Sequence, residues 1–146
     1  MSVVDRTVPS QSESLSFEFD LAHAPEKVWR ALTEPALLRE WLLPAVGFRL
    51  ERGAAFTFKA EPVGGWDGIV QCRIADVEPH QRLRYEWGVG EMATVVTFTL
   101  TPTATGTRLL LVHSGFRPDQ KKNWGGARYG WKMMADKLVA LLERTA

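Results

Sequence analysis

One cysteine, Cys72, stands in a chain of 146 residues, so no internal disulfide can form and a reducing, cytoplasmic compartment is expected. No apolar run approaches the roughly twenty residues of a membrane-spanning helix, and no membrane partner is expected. The opening MSVVDRTVPSQSES is polar and lacks the apolar stretch of a signal peptide. An excess of one charge is missing too: 18 Lys and Arg against 17 Asp and Glu leave a net +1. That balance argues against duplex nucleic acid or an anionic membrane as partner, and no basic run is interleaved with aromatics. His23, His80 and His113 share no metal-like spacing with one another or with Cys72. No phosphate-binding glycine loop occurs, and Gly64-Gly65 reads as a hairpin turn. No metal or cofactor is expected.

What is present reads as a single globular unit. Hydrophobic content of 45% and charged content of 24% are ordinary for such a chain. Neither repeats nor a linker divides it. Residues 1–14 are expected to be a flexible tail that frays or adds an edge to the first strand, and residues 15–146 one domain.

Leu15, Phe17, Phe19 and Leu21 alternate with polar residues, the signature of a strand with one dry face. Two short helices follow. Pro25 opens the first, whose Val28, Trp29 and Leu32 share a face; Thr33 is expected to cap the second, which begins at Pro35 and presents Leu37, Leu38 and Trp41. Strands are then expected at Phe48/Leu50, Phe56–Ala60, Trp66–Val77, Leu83–Trp87, Val96–Leu100 and Leu109–His113. Cys72 shares parity with Val70 and Ile74, which makes it a buried, inert thiol. From about Asn123 to Arg144 the residues Trp124, Ala127, Trp131, Met134, Ala135, Leu138, Leu141 and Leu142 recur at helical steps. The order predicts an α+β fold: a curved antiparallel sheet of six to seven strands wrapped on a long C-terminal helix, with two short helices after the first strand.

In that order, VWRALTEP with Trp41, DGIVQCRIADVEPHQRLRYEW, VVTFTLTPTATGTRLLLVHSGF and the closing GWKMMADKLVALL resemble the START-like, helix-grip superfamily. More narrowly they resemble the activator of heat-shock-protein-90 ATPase homologue family, over about Leu15 to Leu142. The chain departs from that pattern at Gly53-Ala54-Ala55-Phe56, where the family often shows a Gly-Gly pair. The resemblance implies a cavity between sheet and long helix that takes small apolar ligands in many members. It also implies a chaperone as a partner of some members, and it fixes no single function.

Candidate cavity residues are Phe58, Trp66, Tyr85, Trp87, Phe98, Trp124, Trp131 and Met134, whose alternative role is to fill the core. His113 joins them by strand parity, either as a donor or base toward a ligand or as a histidine satisfied by its neighbours. Gly125, Gly126 and Gly130 each cost about 1 kcal/mol relative to alanine inside a helix. They leave room for a ligand, let backbones pack closely, or loosen that end into a gate. Arg128 and Lys132 are placed near the cavity mouth, either solvated or drawing an anion, as are Lys121 and Lys122. Binding of a small hydrophobic or amphipathic molecule without catalysis ranks first. Chaperone contact and a cyclase- or hydrolase-like activity follow, and a homodimer through an exposed strand edge is the alternative to a monomer.

Overall fold

The computed structural model describes residues 2–8, 13–62 and 66–145. The Gly64-Gly65 turn therefore lies outside the described residues. Alternation builds the sheet as expected. In β2 (Ser14–Leu21) the residues Leu15, Phe17, Phe19 and Leu21 are buried while Ser16, Glu18 and Asp20 are not. Phe56 and Phe58 of β4 (Ala55–Lys59) follow the same rule, as do Val70, Cys72 and Ile74 of β5 (Ile69–Glu78). So do Leu83, Tyr85 and Trp87 of β6 (Arg82–Val89), and Thr94, Val96 and Phe98 of β7 (Met92–Pro102). β8 (Thr107–Ser114) buries Leu109, Leu111 and His113.

With β1 (Ser2–Asp5) and the two-residue β3 (Ala45–Val46), these strands form one antiparallel sheet in the order β1-β2-β8-β7-β6-β5-β4-β3. β1 is the strand beyond the expected six or seven: Val3 pairs with Phe19 along the free side of β2, so the short helices follow the second strand. The strand expected at Phe48/Leu50 is corrected to Ala45–Val46, which pairs with Phe58 and Thr57. Phe48 lies beyond it, packed edge-on against Phe56 at 4.9 Å. The strand expected from Trp66 begins instead at Ile69. Gly68, at φ 81°, turns the chain into it beside the Ala60 carbonyl, where a side chain would collide.

α1 (Pro25–Thr33) and α2 (Pro35–Trp41) each begin with proline. Thr33 does not cap α2. It ends α1 and turns its hydroxyl back to donate to the Trp29 carbonyl at 2.8 Å, leaving Glu34 at the cap position. Trp41 Nε1 donates to the Ala31 carbonyl at 2.8 Å, pinning one helix to the other.

α3 (Lys121–Arg144) starts two residues before Asn123 because a 3-10 turn at Pro118–Gln120 feeds straight into it. Its deeply buried residues are Trp131, Ala135, Leu138, Leu141 and Leu142, none of them before Trp131. The helix pair props that stretch. Lys27 Nζ donates to the carbonyls of Leu142 at 2.7 Å and Thr145 at 2.6 Å, a cation on the negative end of the helix. Residues 121–130 include no fully buried side chain, so the start of α3 lies over the sheet without sinking into it. No helix among the described residues is long and apolar enough to cross a membrane.

Candidate ligand cavity

Where the first half of α3 stands off the sheet, a cavity of about 440 Å³ remains, within the size range of small-molecule sites. Strand alternation brings Trp87, Met92 and His113 to its sheet side, and Trp66 closes a flank, its Nε1 donating to the Ile69 carbonyl at 3.1 Å. α3 contributes Gly126, Gly130, Trp131 and Met134 at helical spacing. Smaller apolar residues, among them Val70, Val89 and Ala127, fill the gaps between the rings. Lys122 and Asn123, both exposed, stand at the rim in the first turn of α3.

The glycines face open space. A methyl group built at Gly125, Gly126 or Gly130 meets nothing within 4 Å. Close backbone packing is therefore not their role. Gly126 and Gly130, four apart and on one face, keep side chains out of the cavity.

His113 sits at the floor, 1% exposed, in a closed chain of hydrogen bonds. Trp131 Nε1 donates to His113 Nδ1 at 2.9 Å. An indole N–H can only donate, so Nδ1 is the acceptor and the proton of the neutral ring is on Nε2. Nε2 then donates to Thr94 Oγ1 at 2.7 Å, and Thr94 donates onward to the Trp87 carbonyl at 2.7 Å. Burial lowers the His113 pKa to about 3, so the ring is neutral at ordinary pH. The chain ties α3, β8, β7 and β6 together. It also leaves no free lone pair on the imidazole for proton abstraction.

Of the residues singled out from sequence, Trp66, Trp87, His113, Trp131 and Met134 come together on the cavity. Phe58, Tyr85 and Phe98 lie behind its wall, almost fully buried in the core, with ring centroids 6.0 and 6.1 Å from Tyr85 to Phe58 and Phe98. The Tyr85 hydroxyl has no hydrogen-bond partner among the described residues, and burial raises its pKa. Trp124 turns away from the cavity: its Nε1 donates to the Ser14 carbonyl at 2.9 Å and its ring carries Arg128 at 5.5 Å.

Arg128 and Lys132 are corrected with it. They face β1, where Asp5 meets Arg128 at 2.8 Å and Lys132 at 3.4 Å. Burial works to raise the Asp5 carboxyl, but hydrogen bonds from Thr7 and Arg128 outweigh it and bring the pKa down to about 2. Cys72 is buried and its thiol pushed up to about 12, as an inert core thiol should be.

Sequence reasoning missed Thr94 and Met92. Both share the inward parity of Val96 and Phe98, which is the signal that would have found them.

No curated protein matches the chain. Among solved structures, protein MLL2253 from Mesorhizobium loti is 42% identical, with a TM-score of 0.84, over 91% of this chain and 98% of that one. A protein from Rhodobacter sphaeroides is 23% identical with a TM-score of 0.76, over 99% of this chain and all (100%) of the other. CalU16 from Micromonospora echinospora is 23% identical with a TM-score of 0.74, over 98% and 85%. At that identity these last two speak for the fold. The family model for Activator of Hsp90 ATPase homolog 1-like proteins matches residues 22–143. The chain therefore belongs to the Activator of Hsp90 ATPase homolog 1-like family, in its START-like, helix-grip form.

Proposed function

We propose that this protein binds a small hydrophobic or amphipathic molecule in the cavity between the sheet and the first half of α3, without catalysing its conversion. One observation carries the reading. Gly126 and Gly130 cost helix stability, and their missing side chains would meet only open space over an aromatic wall. A helix selected for stability alone would carry alanine at these positions, since the added methyl would meet nothing and alanine is the better helix former. His113 serves here as a fastener of the cavity floor, since both of its nitrogens are engaged.

Native mass spectrometry of freshly purified protein, followed by a panel of lipids, phenols and polyketide-like compounds, tests the proposal. A retained or captured ligand at one per chain is expected. Failure to hold any member of the panel would remove it.

A second reading, contact with a chaperone as the family's name invites, is favoured by a different face. Tyr129 and Met133, one turn apart on α3, are 68% and 47% exposed. Stimulation of the chaperone's ATPase by the wild-type chain, lost in Tyr129→Ala, would establish it. An unchanged rate would dispose of it.

A further inference from the structure

We infer that the ligand of this cavity is an anionic aromatic amphipath: a flat ring body with one carboxylate or phenolate, the ring held within and the charge at Lys122. The inference rests on the cavity being a binding site, and it concerns what the site selects.

The ring body follows from the walls. Trp66, Trp87 and Trp131 present indole surface, and Trp66 and Trp131 are fixed by hydrogen bonds from their own N–H groups. Rigid aromatic walls favour flat, polarisable partners, and the thioethers of Met92 and Met134 add contacts of the kind sulfur makes with aromatic rings. His113 adds no charge at the floor, because its ring is neutral and both nitrogens are bonded within the protein. A charged group placed deep in the cavity would therefore be unpaired, at heavy desolvation cost.

The anion follows from the rim. Among the described lining residues Lys122 alone carries formal charge, and Asn123 beside it offers an amide. Lys122 makes no ion pair within 4 Å among the described residues, in contrast to Arg128 and Lys132, which Asp5 engages. The first turn of α3 holds Lys121 and Lys122 with no acidic residue, although the start of a helix is the positive end of its dipole and usually carries acids. The nearby Asp119 is met by Arg117 at 3.4 Å. The local sequence thus leaves positive charge uncompensated where the cavity opens. A ligand anion there would be compensated while its ring remained inside.

Calorimetric titration of the full chain with 2-naphthoate, 2-naphthamide and 2-naphthylmethylammonium separates charge from shape. The naphthoate is expected to bind roughly two- to fivefold more tightly than the amide, the scale of a rim-exposed ion pair. Lys122→Gln should bring the two to parity with the amide affinity kept, and Lys122→Glu should put the ammonium first. Equal binding of naphthoate and amide to the wild type, or a preference that survives in Lys122→Gln, overturns the inference. Either result leaves the cavity reading intact as long as the amide binds and Gly130→Leu abolishes its binding. Failure of all three probes also overturns the inference, while the cavity reading is then decided by the lipid, phenol and polyketide-like panel.

Discussion

Trp131 and His113 meet at 2.9 Å, indole N–H to imidazole Nδ1, and this contact joins the long helix to the sheet at the cavity floor. It is the point from which the glycine-bearing start of α3 diverges from the core. It also fixes the tautomer, because the indole can only give a proton and the ring must accept it on Nδ1.

His113 should therefore hold its Nε2–H form, with ring nitrogen signals unchanged from pH 8 to about 4, given a folded pKa of about 3. The unfolded chain titrates near 6.5, so unfolding takes up a proton between the two values. Stability is then fully present above pH 6.5 and falls as pH drops toward 3, by up to about 1.4 kcal/mol per pH unit. The lowered pKa of His23 acts in the same direction. The readout is accordingly the difference between the wild type and His113→Gln. The slope of stability against pH between 6.5 and about 4.5 should flatten by one proton in the variant. An unchanged slope contradicts the assignment.

Gly126→Ala and Gly130→Ala should each stabilise the protein by about 0.5–1 kcal/mol in chemical denaturation, since the new methyl meets nothing within 4 Å and alanine is the better helix former. Loss of stability at either position would mean that the helix needs bare backbone there.

The Tyr85 hydroxyl is buried without a partner among the described residues, a state that costs free energy. Tyr85→Phe should leave stability unchanged or raise it by up to about 1 kcal/mol. A loss exceeding that amount in a denaturant titration would show that the hydroxyl is bonded in solution.

Asp5 links β1 to the half of α3 that walls the cavity. Asp5→Ala removes an acceptor from a half-buried arginine and should cost about 1–2 kcal/mol. Hydrogen exchange should quicken over residues 121–130, where no side chain is fully buried, and stay slow at Leu138–Leu142. Uniform exchange along α3 in both proteins would refute a loosely held first half.

The architecture was legible because burial writes itself as periodicity. Leu15 to Leu21 at period two and Trp131 to Leu142 at period near four state which face is dry, and both faces are dry in the structure. Trp87, His113, Trp131 and Met134 could be placed on the cavity by the same parity. Phe58, Tyr85 and Phe98 share that parity yet lie behind the wall, because alternation tells in from out and not how far along the sheet the helix lifts away. Arg128 was misplaced for a related reason. Its partner Asp5 lies 123 residues earlier, on a strand whose docking no local pattern announces. Thr33 has the side chain of a cap but back-bonds to Trp29, a choice between two local bonds that a hydroxyl can make.

The proposed ligand site is the space kept by Gly126 and Gly130. Its most direct test is a paired titration of the wild type and Gly130→Leu with a ligand retained on purification or captured from the panel, read by tryptophan fluorescence, with thermal unfolding of both proteins as the control. Saturable one-to-one quenching is expected in the wild type and none in Gly130→Leu, whose Tm is equal or higher. Equal binding by both proteins, with the variant folded, would contradict it.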